Sequence, residues 1–331
     1  MKSPLVSIVI PNYNSMKTIR LCLDGVFSQN YQNFEVIVVD DGSTDGCTDI
    51  IKQYDCTLIP TPQNSGPSVA RNLGAAAAKG EIIFFLDSDV ALFPDAIDNT
   101  LDEFEKDSRI GSVCGIYDKT PLIRDSIIED YRSLQAFHWR KSYEGVVTPG
   151  FFSLGAIKKS VFEEVGEFNT SLRDSEDAEY GHRLSKNYDL ILTSRVMGRH
   201  DDDDKISIVM KKLFRRGRTR VPLYLSRKKA MQGFETPNRA LALVFALLFF
   251  MSLPALALGA IWSILPGILL AIFMLLDFGQ YLFVHKERGL GFSVLFVAIH
   301  VTVSAVACLG VFKGFFDWVF DASFRKEGVM S

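Results

Sequence analysis

The chain has 331 residues, which is long enough for two domains of ordinary size, and its formal net charge at pH 7 is −3. The charge is unevenly distributed, because residues 1–204 carry about −13, residues 205–239 about +10 and residues 240–331 none. The last third is apolar enough to disfavour a purely soluble enzyme, and the five cysteines show no CxxC spacing, which argues against a disulfide scaffold and a zinc site.

Short apolar runs alternate with helical patterns through the first 90 residues. The predicted strands cover residues 5–10, 34–39, 57–60 and 81–86. The predicted helices cover residues 15–29, 48–54 and 67–79. This alternation predicts an α/β fold, with a mainly parallel sheet wrapped by helices. The first strand follows Met1 closely and no signal-peptide pattern precedes it, so we expect this domain to lie in the cytoplasm.

Polar residues follow these strands, at the edge where parallel sheets bind their ligands. The segments are Pro11-Asn12-Tyr13-Asn14, Asp40-Asp41-Gly42-Ser43, Asn64-Ser65-Gly66-Pro67 and Asp87-Ser88-Asp89. Asp87 and Asp89 point the same way on an extended chain, so they could share one Mg²⁺ or Mn²⁺ with a diphosphate. A turn rich in Asp and Ser that binds nothing is the alternative. Neither GxGxxG nor GxxxxGK[ST] occurs, so neither a dinucleotide fold nor a P-loop is predicted.

Four ordered segments resemble the successive motifs of family 2 glycosyltransferases with the GT-A fold. They are residues 7–14, 38–46, 66–74 and 85–89, and the resemblance extends over residues 5 to about 200. It implies a Rossmann-like catalytic domain over residues 1–204 that binds a nucleotide-activated sugar, with a UDP-sugar favoured, and a divalent cation, Mn²⁺ or Mg²⁺.

The resemblance also implies roles for individual residues. The donor nucleotide would contact Pro11, Tyr13, Asp41, Arg71, Asp87 and Ser88. The cation would be bound by Asp89 and His200, with Asp87 as a further candidate ligand. A cation at this place would offset the charge that develops on the departing nucleoside diphosphate.

A downstream segment, residues 166–184, is similar to the part of the family that carries the catalytic base of an inverting transfer. The similarity places the base at Asp177, with Glu176 beside it. A carboxylate can deprotonate an acceptor hydroxyl as the bond to the anomeric carbon forms. Without the upstream motifs, these acids would predict only a helix N-terminus, where the helix dipole favours them. The Gln-x-x-Arg-Trp motif of processive synthases is absent, which favours the addition of a single sugar.

The last third of the chain predicts attachment to a membrane. Residues 205–239 interleave basic and apolar side chains, as interfacial amphipathic helices on an anionic leaflet do. Residues 240–331 predict an all-α membrane domain with spans at about 240–262, 265–284 and 292–312, and the helical core of a soluble domain is the alternative. The positive-inside rule places the catalytic domain on the cytoplasmic face of the inner membrane, whereas three spans place the C-terminal tail outside. Small residues in the third span would allow a second copy to pack there.

These features predict an inverting, metal-dependent glycosyltransferase that moves a sugar from a nucleotide-sugar donor to a hydroxyl of a lipid-linked saccharide or glycolipid, in the synthesis of cell-envelope glycans. One alternative is a polyprenyl-phosphate glycosyltransferase, whose acceptor is already ionised and needs little help from a base. A nucleotidyltransferase and a non-catalytic membrane protein that senses sugar nucleotides are the others. The Glu176–Asp177 pair favours the hydroxyl acceptor, and no nucleic-acid partner is expected.

Overall fold

The computed structural model describes residues 3–148, 150–172, 176–226, 236–259, 261–321 and 324–325. The chain divides into two compact units. The first comprises Met1–Asp125 and Trp139–Asp202, and the second comprises Ser126–His138 and Asp203–Ser331. Residues 227–235, which belong to the predicted basic segment, lie outside the described residues. The three domain ranges and the span limits derived from the sequence stay predictions.

The described part of the first unit contains one mixed sheet of nine strands. They are β1 Val6–Asn12, β2 Phe34–Asp40, β3 Thr57–Pro60, β4 Ile82–Leu86, β5 Val90–Leu92, β6 Ile110–Tyr117, β7 Gly145–Val147, β8 Leu154–Lys158 and β9 Asp189–His200. Their order is β3-β2-β1-β4-β8-β6-β9-β5, with β7 paired to β9. The pairs β1–β2, β1–β4, β2–β3 and β6–β9 are parallel, whereas β5, β7 and β8 pair antiparallel with their neighbours. The predicted α/β fold with a mainly parallel sheet is therefore confirmed.

Helices cover this sheet because its central strands are apolar on both faces. Ile8, Val9 and Ile10 of β1 are fully buried although they point alternately to opposite sides, so both faces need cover. The helices of the first unit are α1 Ile19–Phe27, α2 Cys47–Ile51, α3 Pro67–Ala77, α4 Ala96–Lys106, α6 Lys159–Val165 and α7 Glu176–Leu184, whereas α5 Ile127–Lys141 begins in the second unit and enters the first at Trp139. The close approach of α3 to β1 depends on Gly74, where a Cβ atom would overlap the Val9 side chain.

The first four predicted strands are all present, and β3 has the predicted limits. The largest difference is at α1, which begins at Ile19 although the pattern predicted a helix from residue 15. Residues 15–18 form a turn instead, because the Ser15 carbonyl accepts hydrogen bonds from the amides of Thr18 and Ile19. Asn14, just before this turn, has a positive φ of 49°, which short polar side chains tolerate.

The second unit is helical over the residues that the structure describes. After the first part of α5 it contains α8 Ile206–Ser226, α9 Pro237–Ser252, a 3₁₀ turn Leu253–Leu258, α10 Ile264–Leu276 and α11 Phe278–Phe320. Two described segments, Pro237–Leu258 and Phe278–Phe320, are long and apolar enough to cross a membrane, and α10 is a shorter apolar helix. Asp277 has non-helical backbone angles, φ −137° and ψ 45°, and interrupts the helix between α10 and α11.

The helix α11 reverses direction at Gly289, where φ is +78°. The Gln280 Nε2 atom donates a hydrogen bond to His300 Nδ1 over 2.7 Å, and the Tyr281 ring packs against Phe296. A straight helix would separate residues 280 and 300 by about 30 Å. The two arms of α11, residues 278–288 and 290–320, are therefore antiparallel neighbours.

The second arm of α11 packs closely against α8 through glycines. A Cβ atom at Gly217 of α8 would stand 2.7 Å from the Ala307 carbonyl oxygen. A Cβ atom at Gly310 would overlap the backbone of Phe214, and Gly314 repeats this arrangement one turn later. Such backbone-to-backbone approach requires small residues on both helices.

Candidate active site

The carboxyl ends of β1, β2 and β4 open onto a cavity of about 250 Å³. Its wall consists of residues at strand ends and at the start of α3, namely Pro11, Asn12, Tyr13, Asp41, Asn64, Gly66, Pro67, Ala70, Asp87, Ser88 and Asp89. The wall thus includes five of the six residues predicted to bind the donor nucleotide. The sixth, Arg71, is buried and does not belong to the wall.

Two neighbouring strand ends are tied together at this cavity. Asn12, at the end of β1, donates a hydrogen bond from Nδ2 to Asp40 Oδ1 at the end of β2, over 2.7 Å. Tyr13 follows Asn12 and is 50% exposed at the wall. An exposed aromatic ring at this place is suited to contact a planar ligand such as a nucleobase.

Asp41 organises the loop that forms the opposite part of the wall. One carboxylate oxygen accepts hydrogen bonds from the Thr61 hydroxyl and the Ser65 amide, each over 2.9 Å. The other accepts from the amides of Ser65 and Gly66, over 3.0 and 2.7 Å. A carboxylate has about four acceptor positions, and three groups, the Thr61 hydroxyl and the amides of Ser65 and Gly66, already donate to Asp41, so a base that contacts it would compete with them. The predicted contact of Asp41 with the base stays a prediction.

The pairing of β5 with β9 brings Asp89 and His200 together. Val90 pairs with His200 in the register of these strands, and the Asp89 carbonyl accepts the Asp201 amide over 3.0 Å. His200 Nε2 lies 3.5 Å from Asp89 Oδ2. Burial lowers the pKa of His200, but the Asp89 carboxylate outweighs it, and the net shift of the pKa is upward.

Asp89 and His200 suit a divalent cation. The Asp89 Oδ1 atom is buried and has no hydrogen-bond partner among the described residues, which is costly for a carboxylate oxygen without a cation. The described residues contain no group of three or more His, Cys, Asp or Glu side chains that could hold a metal. A cation here would thus have two protein ligands at most and would take further ligands from a bound diphosphate, as Mg²⁺ does in many phosphate sites.

Arg71 connects this cavity to the second acidic motif. Its Nη2 atom lies 2.9 Å from Asp87 Oδ1, and its Nη1 atom lies 3.0 Å from Glu176 Oε1 and 3.4 Å from Asp177 Oδ1. The guanidinium also stands over the Phe168 ring, 5.7 Å from its centroid. Arg71 therefore offsets the charge of three carboxylates that would otherwise repel one another, and its predicted contact with the nucleotide stays a prediction.

Asp177 is held from two sides at the start of α7. Oδ1 faces Arg71, and Oδ2 accepts a hydrogen bond from the Phe152 amide over 3.2 Å. Burial raises the pKa of Asp177 to about 7, the carboxylates of Glu176 and Asp87 add to the increase, and Arg71 opposes it. A carboxylate with a pKa close to neutral can accept a proton and still be ionised at physiological pH.

The position of α7 is fixed by a buried aromatic cluster and an arginine. Phe152, Phe168 and Tyr180 pack together, with 4.3 Å between the ring centroids of Phe168 and Tyr180. Arg183 pairs with Glu179 one turn earlier and donates hydrogen bonds to the backbone carbonyls of residues 165 and 167. These contacts hold the N-terminus of α7, and with it Asp177, against the sheet.

Several residues of the site carry no local sequence signal. The Phe152 amide is a backbone group, and Tyr117, whose ring stacks on His200 with 4.4 Å between centroids, lies in an ordinary apolar strand. Asn72 lies in the motif segment 66–74, but the two hydrogen bonds of 2.9 Å that it exchanges with the Phe168 backbone have no counterpart in the sequence pattern. Each of these contacts joins residues that are distant in the sequence, so only the folded chain reveals them.

Comparisons with known proteins agree with this fold. Residues 7–166 match the model described as glycosyl transferase family 2. Glycosyltransferase GlyG of Streptococcus pneumoniae serotype 4 is 30% identical over 196 residues, which cover 53% of this chain and 64% of that protein. A protein whose name refers to teichuronic acid biosynthesis, TuaG of Bacillus subtilis, is 36% identical over 128 residues, which cover 36% of this chain and 51% of that protein.

Among solved structures, the mannosyltransferase PcManGT from Pyrobaculum calidifontis, in complex with GDP-Man and Mn²⁺, aligns with a TM-score of 0.60 at 18% identity. The alignment covers 96% of this chain and 88% of that chain. A likeness at this identity concerns the fold, and it confirms the predicted GT-A architecture followed by C-terminal helices. The chain spans about half the length of the curated relatives that it matches first.

Proposed function

Because residues 7–166 of this chain belong to glycosyl transferase family 2, we propose that the protein is an inverting glycosyltransferase that uses a nucleotide-sugar donor and a divalent cation. Its acceptor is a hydroxyl of a membrane lipid or of a lipid-linked saccharide. The UDP-sugars are the favoured donors. The role of TuaG in teichuronic acid biosynthesis, as its name states it, supports a place in the synthesis of cell-envelope glycans.

One observation carries this proposal: a single buried arginine joins the wall of the cavity to a carboxylate suited to act as a base. Arg71 contacts Asp87 in the cavity wall and Asp177 at the start of α7. Because Asp87 and Asp177 contact the same guanidinium, a donor bound in the cavity and an acceptor bound at Asp177 would lie close together. A sugar-nucleotide sensor would need the cavity but not the neighbouring base.

The proposed reaction is a displacement at the anomeric carbon. The acceptor oxygen forms a bond to this carbon, while the bond from the carbon to the phosphate oxygen breaks and its electron pair leaves with the nucleoside diphosphate. Asp177 accepts the hydroxyl proton as the new bond forms. Attack from the side opposite the leaving group inverts the configuration. Arg71 and the Phe152 amide keep Asp177 oriented toward the acceptor.

The residues that would hold the cation are Asp89 and His200, and Asp87, which pairs with Arg71, would become a further ligand only if that ion pair opened. A cation bound there would supply positive charge beside the departing diphosphate. The Tyr117 ring keeps the His200 imidazole oriented by stacking on it. The Asp89 Oδ1 atom, which has no hydrogen-bond partner within the described part of the chain, supports this assignment.

The exposed apolar surface of α9 and α10 supports attachment to a bilayer. Met251, Ile261 and Trp262, at and near the turn between these helices, are 67%, 81% and 57% exposed. No charged residue occurs between Arg239 and Asp277. A hairpin with this surface would be unstable in water and is stabilised by lipid hydrocarbon. This surface supports our proposal that the protein is attached to the inner membrane, with the first unit in the cytoplasm.

A thermal-shift panel on the detergent-purified full chain tests the proposed function. UDP-, GDP-, dTDP- and CMP-sugars are compared with and without Mn²⁺, because a ligand that binds only the folded protein raises the unfolding midpoint. We expect one nucleotide family to stabilise the protein in a metal-dependent way. The variant Asp89→Ala should lose this shift, whereas Asp49→Ala, which removes an exposed carboxylate of α2, should keep it.

Transfer of radiolabelled sugar to extracted lipids then separates an enzyme from a sensor. Metal-dependent binding of a donor without any transfer or hydrolysis would support the sensor instead. Absence of a shift with all four nucleotide families, in protein shown to be folded, would contradict the donor site altogether.

A further inference from the structure

Arg140, the penultimate residue of α5, lies on an aromatic ring beside the candidate active site. Its guanidinium carbon stands 3.8 Å from the centroid of the Tyr117 ring and 5.1 Å from that of Phe151. The His200 ring stacks on Tyr117 as well, with 4.4 Å between centroids and an angle of 6° between the planes. One face of a phenol ring has room for a single stacked group at these distances. Arg140 and His200 therefore lie on opposite faces of Tyr117.

The charge of Arg140 has no counter-charge among the described residues. Its Nη1 atom is buried and makes no hydrogen bond there. Other arginines of the first unit are paired: Arg71 with three carboxylates, Arg183 with Glu179, and Arg195 with acids of α4. A guanidinium presents five donors that match the oxygens of a phosphate or carboxylate, and a buried donor without an acceptor is costly. Arg140 thus has the properties of a residue that pairs with an anionic ligand.

The position of Arg140 indicates which part of the reaction this ligand serves. Phe151, which Arg140 contacts, lies between the two residues whose amides bond to Asp177: Gly150 donates to its carbonyl over 3.3 Å, and Phe152 to its carboxylate over 3.2 Å. The Tyr117 ring, in contrast, separates Arg140 from His200 and the candidate cation. Arg140 therefore contacts the short segment that holds the proposed base Asp177, next to which the acceptor would bind.

We infer that Arg140 binds a phosphate oxygen of the acceptor, so that the acceptor is a phosphate or diphosphate ester of a lipid. Its hydroxyl lies at Asp177 while its phosphate pairs with Arg140. The inference rests on the proposed function and narrows it, because an acceptor glycolipid without a phosphate would leave Arg140 unpaired. The donor diphosphate could offer the same oxygens, so the test has to distinguish the two sources.

The test uses two probes on the full chain in detergent. Binding of farnesyl diphosphate is measured with EDTA present, so that no divalent cation can hold the diphosphate. Farnesol, the same lipid without the diphosphate, is the matched control and should not depend on Arg140. UDP with Mn²⁺ reports the donor diphosphate. We expect Arg140→Gln to weaken binding of farnesyl diphosphate about 10- to 100-fold, as loss of a charge-assisted hydrogen bond does, and to leave UDP binding unchanged. Arg140→Lys, which keeps the charge but not the planar group, should retain part of the affinity.

Arg199→Gln is the control, because Arg199 also stands over an aromatic ring, that of Phe93, but is exposed. It should bind both probes as the native protein does. Loss of UDP binding in Arg140→Gln would assign the phosphate to the donor. The inference would be overturned if folded Arg140→Gln bound both probes as tightly as the native protein does. It would also be overturned if the native protein did not bind farnesyl diphosphate. If farnesyl diphosphate binds in an Arg140-dependent way but no nucleotide sugar binds, Arg140 is an anion-binding residue and the proposed function is wrong.

Discussion

Asp177 can accept a proton only when it is ionised, and its surroundings set the pH at which this happens. Burial and two neighbouring carboxylates raise its pKa to about 7. The ionised form therefore predominates above pH 7 and is lost below it. We expect kcat/KM to rise with pH, to reach half its maximum near pH 7, and to fall about tenfold per pH unit well below that value. Initial transfer rates from about pH 5 to about pH 9 measure this profile.

Replacement of the proposed base gives a second test at the same residue. Asp177→Asn keeps the size of the side chain and its contact with the Phe152 amide but cannot accept a proton. The transfer rate should fall about 10²- to 10⁴-fold while the donor-induced thermal shift remains. A rate close to that of the native protein would show that the acceptor is already ionised, as in polyprenyl-phosphate glycosyltransferases.

Arg71 should matter for stability as well as for catalysis. Its side chain is 3% exposed and faces Asp87, Glu176 and Asp177. Arg71→Met leaves these carboxylates without a counter-charge, so the free energy of unfolding should fall by about 3–5 kcal/mol. The pKa of Asp177 should rise further, and the pH profile should move upward.

The unfolding midpoint of Arg71→Met is compared with that of Arg109→Met, which breaks an ion pair whose arginine is 70% exposed. The control should cost less than about 1 kcal/mol. In the double variant Arg71→Met, Glu176→Gln, part of the lost stability should return, because one repelling charge is removed. Equal midpoints for Arg71→Met and the control would contradict the structural role of Arg71.

The residue types at the site could be predicted from the sequence, but their contacts could not. Polar residues at strand ends indicated Tyr13, Asp87 and Asp89, because strand alternation and sheet topology determine where they lie. The partners of Arg71 lie 16 to 106 positions away in the sequence. No local pattern encodes such a contact, and the same holds for Arg140 on Tyr117.

The close contact between helices α8 and α11 depends on glycines, which have no side chain beyond the Cα hydrogen. Gly310→Ala would place a Cβ atom against the Phe214 backbone and force the helices apart, so the unfolding midpoint should fall. Gly291→Ala, in the same arm of α11, meets nothing within 4 Å and should be neutral or slightly stabilising, since alanine favours a helix by about 1 kcal/mol over glycine. Similar midpoints for both variants would mean that this contact contributes little.

The regular strands and helices could be predicted from the sequence more fully than the breaks in the apolar helices. Strand and helix periods predicted β1 to β4 because the core faces repeat regularly. The reversal at Gly289 lies in the gap between the second and third predicted spans, residues 285–291, but the sequence did not identify the residue whose positive φ makes the turn. The interruption at Asp277 likewise depends on backbone angles and not on hydropathy. Hydropathy thus located the apolar segments and the gap in which the chain reverses, but not the break at Asp277.

For the whole molecule, the charges of α8 bear on the course of the C-terminus. Lys211, Lys212 and Arg215 are exposed on α8, so this helix cannot lie in hydrocarbon. Its Arg218 is paired with Asp317, close to the end of α11. The second arm of α11 therefore lies beside a charged helix over its last turns. Its exposed aromatic residues there are suited to the interface between lipid and water.

This arrangement predicts the side of the membrane on which the tail lies. The three spans predicted from the sequence place it outside, whereas a hairpin in which α10 crosses together with the first arm of α11 returns the chain to the side from which α8 begins. We expect the second outcome, because it also keeps the basic tail in the cytoplasm.

The measurement uses three variants that each carry one added cysteine, Ser331→Cys, Asp49→Cys in the first unit and Ser263→Cys between α9 and α10. Each variant is labelled with a membrane-impermeant maleimide in intact cells and in permeabilised cells. The native protein, with four buried cysteines and one partly buried, is the blank. Ser331→Cys should react only after permeabilisation, as Asp49→Cys does, and Ser263→Cys should react in intact cells. Labelling of Ser331→Cys in intact cells would instead establish the third span.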